Sequence, residues 1–282
     1  MARVQYVLAL CLSATCLVIV MATSADAQQA PQRLSAENSF LLGPSIGEDY
    51  TVEITGSLWD PSPLFVASSE QFGIIGSNIN FGSDLGLVRK RHRAYRLTLK
   101  TGRRHKLHVS RMLMQYRQNT VLKRRLVFQG IAWDVGLPVS SLFKWDAWRF
   151  GYEFDVVIRE RGYFGLILEA KHTQLEARLE SESAYEFTRA QVPIPALGTI
   201  TRIYLTRFIP LTVEFTAFKL PSNLADGHEV RHVDFDIYGT LNFSRMVGLN
   251  IGYRSLDFSF LVDRDTGDLE LNGIYVSGVF RF

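Results

Sequence analysis

His232-x-Asp234-x-Asp236 puts an imidazole and two carboxylates at spacing two within an alternating stretch. Successive side chains of a strand point to opposite faces, so these three would leave the same one, close enough to act as a general acid–base cluster. Six more ionisable residues hold the polar parity of their own stretches: Arg149, Glu153, Asp155, Glu169, Lys171 and Arg254. Carboxylates and cations interleaved in this way can also simply neutralise one another. The trio is therefore a weak catalytic candidate beside a plainer reading, in which it pairs with nearby Arg and Lys. No G-x-S-x-G motif occurs, and His108 and His172 stand on other stretches without metal-ligand spacing. No metal and no cofactor is expected, and an enzyme is the less favoured reading.

The elements that must hold these residues follow a period of two from Tyr50 onward. Trp148, Phe150, Tyr152, Phe154, Val156 and Ile158 share one face, against Arg149, Gly151, Glu153, Asp155, Val157 and Arg159 on the other. The alternation returns in Leu211, Val213, Phe215 and Ala217, and again in Val233, Phe235, Ile237, Leu241 and Phe243. It predicts strands over 48–58, 92–101, 104–117, 145–159, 162–177, 197–208, 211–219, 230–243, 247–262 and 268–282. Tight joins at Thr101-Gly102-Arg103, Glu160-Arg161-Gly162, Ile209-Pro210 and Ser244-Arg245-Met246 suit antiparallel neighbours turning on one side. Residues 122–137 are also strand-like and could form a long extracellular excursion, an inward-folded plug or two more wall strands, so twelve strands, like eight, remain an alternative to ten.

Ile274, Val276, Phe280 and Phe282 alternate with Tyr275, Ser277 and Arg281 to an aromatic carboxy-terminus. That ending resembles the closing strand of small bacterial outer-membrane β-barrels, as a class and without a specific subfamily. The resemblance implies an all-β, transmembrane, antiparallel up-and-down barrel of about ten strands over 48–282. It also implies that barrel-assembly machinery engages Phe280 and Phe282. At the other end, an apolar run from Val7 to Met21 closes on Ala25-Asp26-Ala27, which reads as a signal peptide over 1–27, with 28–47 as a periplasmic lead-in. Cys11 and Cys16 both fall inside that signal, which leaves the exported chain without thiol chemistry. The expected location is the cell outer membrane.

A soluble periplasmic barrel or β-sandwich would show the same alternation with its faces reversed. Strand length favours the membrane, since many stretches reach the roughly 9–11 residues that a tilted span needs. So does aromatic placement, which puts Trp59, Trp145 and Trp148 at outer strand ends and Phe164, Phe208, Phe243, Phe280 and Phe282 at inner ones. The charges of the polar face would then line a lumen that about ten strands largely fill with side chains. The function expected is structural, adhesive or small-solute-passing, with a barrel protease or lipase as the alternative. His232 would lie towards the outer rim.

The net charge of +3 gives no nucleic-acid surface. Basic residues do cluster at Arg89-Lys90-Arg91-His92-Arg93 and Lys123-Arg124-Arg125. On the outer side, Arg89, Lys90, Arg91 and Arg93 would meet lipopolysaccharide phosphates, and outer-membrane lipid is the expected partner. The pattern assigns no oligomeric state. Two long connections, 59–91 and 178–196, are expected to be loops packed into the barrel mouth or against lipid.

Overall fold

The computed structural model describes residues 45–68, 77–128, 130–181, 185–220, 229–262 and 265–282. The signal and most of the lead-in expected over 1–47 lie outside them. The strands are β1 (Val52–Ser68), β2 (Ile79–Asn80), β3 (His92–Lys100), β4 (His105–Val121), β5 (Leu126–Phe128), β6 (Ile131–Trp133) and β7 (Pro138–Arg159). They continue as β8 (Gly162–Glu180), β9 (Tyr185–Thr206), β10 (Ile209–Lys219), β11 (Glu229–Asn242), β12 (Val247–Val262) and β13 (Asp265–Arg281).

Ten of them, without β2, β5 and β6, close an antiparallel barrel in chain order. The seam joins β13 to β1 from Glu53↔Arg281 to Ser68↔Thr266, so no barrel strand is left at an open end of the order. Short turns after β3, β7, β9 and β11 gather at the end that carries the carboxy-terminus. There Phe282 exchanges backbone hydrogen bonds with Val52 and Thr51. Residues 45–51 form a strap at the same end. Tyr204 and Asn242 donate to the Ile46 carbonyl at 3.1 and 2.8 Å. Gly47 lets the strap pass close, at a φ of +96° where a side chain would meet the Arg281 guanidinium.

Halfway along the long strands the alternation changes phase. In β8, Phe164, Leu166, Leu168 and Ala170 face outward near the turn end, while Glu169, Lys171 and Thr173 are buried inside. Further along the same strand the polar residues His172, Gln174, Glu176 and Arg178 face outward, and Leu175, Ala177 and Leu179 are buried inside. β13 repeats this, with Ile274, Val276, Phe280 and Phe282 outward but Leu269 and Leu271 inward. The lower half therefore wears an apolar belt around a polar interior, which is the inverse of a soluble protein. The upper half is built like a soluble protein, polar outside and apolar within.

Two chain excursions fill the upper half. Phe81 and Leu85 from the 81–87 turns, Leu122, and Leu126, Phe128 and Trp133 from the β5–β6 hairpin are all buried against Phe65, Met114, Phe143, Leu175, Phe258 and Leu269. Each large side chain taken fully out of water contributes roughly 1.5–3 kcal/mol, so this stopper is a true core. It also settles strand number: the 122–137 stretch is an inserted hairpin and not two further wall strands. Two sequence expectations are corrected. Both connections expected as loops are in part wall: 59–68 belongs to β1, which runs on to Ser68, and 178–196 is mostly wall, because β8 and β9 run on to Glu180 and Tyr185. Trp59 and Trp145 do not belong to an outer aromatic girdle, because both are buried in the stopper core; Trp59 Nε1 donates to the Gly273 carbonyl at 3.1 Å.

Candidate functional site

Beneath the stopper, side chains of β3, β7, β8, β10, β11 and β12 converge on one ionic network. Arg149 reaches Glu169 at 2.7 Å, Glu214 at 3.2 Å and Asp234 at 3.3 Å. Arg254 holds both oxygens of Asp234, and Arg96 reaches Glu214 at 2.8 Å. Lys171 lies 3.2 Å from Glu169, 3.5 Å from Asp234 and 2.9 Å from the Thr216 hydroxyl. Every carboxylate here faces at least two cations, which is the condition under which buried charges are tolerated.

A second cluster lies nearer the turn end. Lys106 sits between Glu153 at 2.6 Å and Asp155 at 3.0 Å, with the Tyr163 ring 3.7 Å below its ammonium. His108 adds a contact to Glu153 at 3.2 Å. At the mouth, Glu48 of the strap accepts from Arg202 and Tyr204 at 2.9 and 2.8 Å. Arg281 donates to Glu53 at 2.6 Å and to Asn242 at 2.7 Å. Between the two clusters remains a polar cavity of about 100 Å³, bounded above by Trp59, Met112 and Ala147. That is space for a few waters.

The acid–base trio is thus located, and it is not at the rim. His232 is 3% exposed, under the edge of Phe258. Its Nε2 lies 2.6 Å from the Lys171 ammonium, which can only donate. With an ammonium there, Nε2 must accept and the ring proton falls to Nδ1, which has no partner among the described residues. Asp234 is enclosed by three cations. Asp236 accepts from the Tyr275 hydroxyl at 2.8 Å and borders the cavity. The misplacement has a physical reason. β11 starts near His232, and its neighbours β10 and β12 end only a few residues above it, at Lys219 and Val262. β8 and β9, however, run on to Glu180 and Tyr185, and Phe258 covers the imidazole. Sequence reading missed Arg96, Lys106 and Arg202, although each holds the lumen parity of its strand.

The basic clusters separate into different roles. Arg89 is tied to Asp60 at 3.1 Å, and Lys90 donates to the Gln115 carbonyl at 3.3 Å. Arg91 and Arg93 are exposed on the outer wall. Arg124 clamps the stopper, donating to Asp84 at 3.0 and 2.6 Å and to the Asn78 carbonyl at 2.6 Å. The Arg124 guanidinium beside Asp84 holds that carboxyl below the usual carboxylate range, and partial burial opposes it less strongly.

No family model and no curated protein matches the chain. Among solved structures it is similar to the outer membrane protease OmpT from Escherichia coli, with a TM-score of 0.54 and 8% identity over 84% of this chain and 98% of that one. The chain has the outer-membrane β-barrel fold. At that identity the likeness speaks to the fold of the barrel and not to its activity. Similarity extends to Ail of Yersinia pestis (TM-score 0.36, 10% identity, 82% and 99% covered) and to the toluene transporter TodX of Pseudomonas putida (0.33, 8%, 82% and 90%). Scores this low carry no further argument. The outward apolar belt of this barrel rules out the soluble alternative, in which that face would be the buried one.

Proposed function

We propose that this protein is a sealed, non-conducting barrel of the bacterial outer membrane, whose structural or adhesive work is done by its outer surface. One observation carries the reading: an apolar stopper caps a lumen already filled by mutually neutralising charges. Water-filled porins use about 16–18 strands, and ten leave little bore to begin with. The solute-passing variant is disfavoured on the same ground. A barrel enzyme is disfavoured because the acid–base trio has no open face for substrate, and its imidazole is held by Lys171. In this reading export uses the 1–27 signal, and the assembly machinery engages the seam strand through Phe280 and Phe282. Planar-bilayer recording on the folded protein tests it. No current above membrane leak is expected, and reproducible conductance steps would contradict it.

A further inference from the structure

The outer wall carries a groove where β3 and β4 leave the apolar belt. Lys90, Arg91, His92, Arg93, Tyr95, Arg111, Leu113 and Gln115 line a hollow of about 420 Å³. Below it the wall is apolar and outward, with Leu97, Leu99 and Leu107 exposed. Cross-strand register sets Arg93 beside Leu113 and Tyr95 beside Arg111. Arg111 is fixed in place by two hydrogen bonds to Asp146, at 3.2 and 2.8 Å, and lies 4.9 Å over the Trp148 ring. Trp148 in turn stacks on Phe150. Arg91 and Arg93 have no acidic partner among the described residues, in a protein whose other outer-wall arginines near them are paired.

The geometry points to a binding site for the phosphorylated headgroup of an outer-leaflet lipid, with Arg91 and Arg93 as the phosphate donors and the Leu97–Leu107 wall as the track for an acyl chain. Guanidinium forks match phosphate oxygens. Tyr95 and Trp148 mark the height at which lipid headgroups meet hydrocarbon. Arg89, a lipopolysaccharide contact by sequence, is excluded by its tie to Asp60, and Lys90 is held at the groove's edge. The inference rests on membrane residence but not on the sealed lumen. Conductance would leave it standing, and failure to bind lipid would leave the sealed lumen standing.

The test uses the folded full barrel in phosphatidylcholine vesicles, titrated with diphosphorylated lipid A, with the same lipid lacking phosphates, and with inorganic phosphate. Diphosphorylated lipid A should bind, and the double variant Arg91→Gln, Arg93→Gln should bind about tenfold more weakly or worse. Arg91→Lys with Arg93→Lys should fall between them, and Arg117→Gln, farther out on β4, should match the wild type. Equal binding of the phosphate-free lipid, an unaffected double variant, or displacement by an equal concentration of inorganic phosphate would each overturn the assignment.

Discussion

Arg254 donates through Nε and Nη2 to the two carboxylate oxygens of Asp234, at 2.9 and 2.7 Å. The residue directly opposite Arg254 on β11 is Asp236, so the guanidinium reaches diagonally past its cross-strand neighbour. That choice leaves Asp236 to the Tyr275 hydroxyl and makes Asp234 the node where Arg149, Lys171 and Arg254 meet.

Asp234→Asn should therefore be among the most damaging single changes in the lumen. Removing one partner of a buried ion cluster leaves the others uncompensated and costs about 3–5 kcal/mol. Urea unfolding of the refolded barrel measures it. Asp146→Asn, which removes the partner of the exposed Arg111, should move the midpoint little, because exposed pairs are screened by water and salt.

The stopper should loosen in acid before the barrel does. The folded-state pKa of Asp84 lies below its ordinary 3.8. The Asp84–Arg124 clamp is then fully present above that ordinary value and is lost as pH falls through the lowered one. Hydrogen exchange of residues 77–88 should rise over that window in the wild type. Asp84→Asn should show faster exchange already at neutral pH and no comparable acid step.

Deleting Phe282 should impair assembly more than it alters the finished barrel. The residue contributes one exposed ring at the turn end and the last backbone hydrogen bonds of the seam. The fraction of newly made chain that reaches the folded form in membranes should drop, whereas material refolded in detergent should unfold near the wild-type midpoint. Normal insertion in cells would count against Phe280 and Phe282 as the assembly signal.

Much of the wall was legible because a period of two repeats over many residues. The stretches 92–101, 211–219, 230–243 and 247–262 lie within two residues of β3, β10, β11 and β12 at each end. The upper half was not, and β8 shows why. Phe164 to Ala170 sets an even apolar parity, and Leu175 to Leu179 switches to odd with no turn residue to announce it. A parity read from the first run assigns the second to the wrong face or to a loop. Trp145 carried the same warning. It shares the parity of Arg149, so by its own strand it belonged inside, yet its place near the strand end suggested a girdle. The lumenal charges were visible as a face, but their pairing was not. Arg254 to Asp234 and Lys171 to His232 depend on barrel curvature and side-chain reach, which alternation does not encode.

The central claim is that the strand phase inverts and the upper interior is dry. A cysteine scan along β8 tests it most directly, and it is clean because the only cysteines of the chain are Cys11 and Cys16. In the membrane-inserted protein, a water-soluble maleimide should label Gln174→Cys and Glu176→Cys. It should leave Leu166→Cys and Leu168→Cys unlabelled, in the belt, and also Leu175→Cys, Ala177→Cys and Leu179→Cys, in the stopper core. Ready labelling at 175, 177 and 179 would mean a wetted lumen and would contradict the sealed barrel.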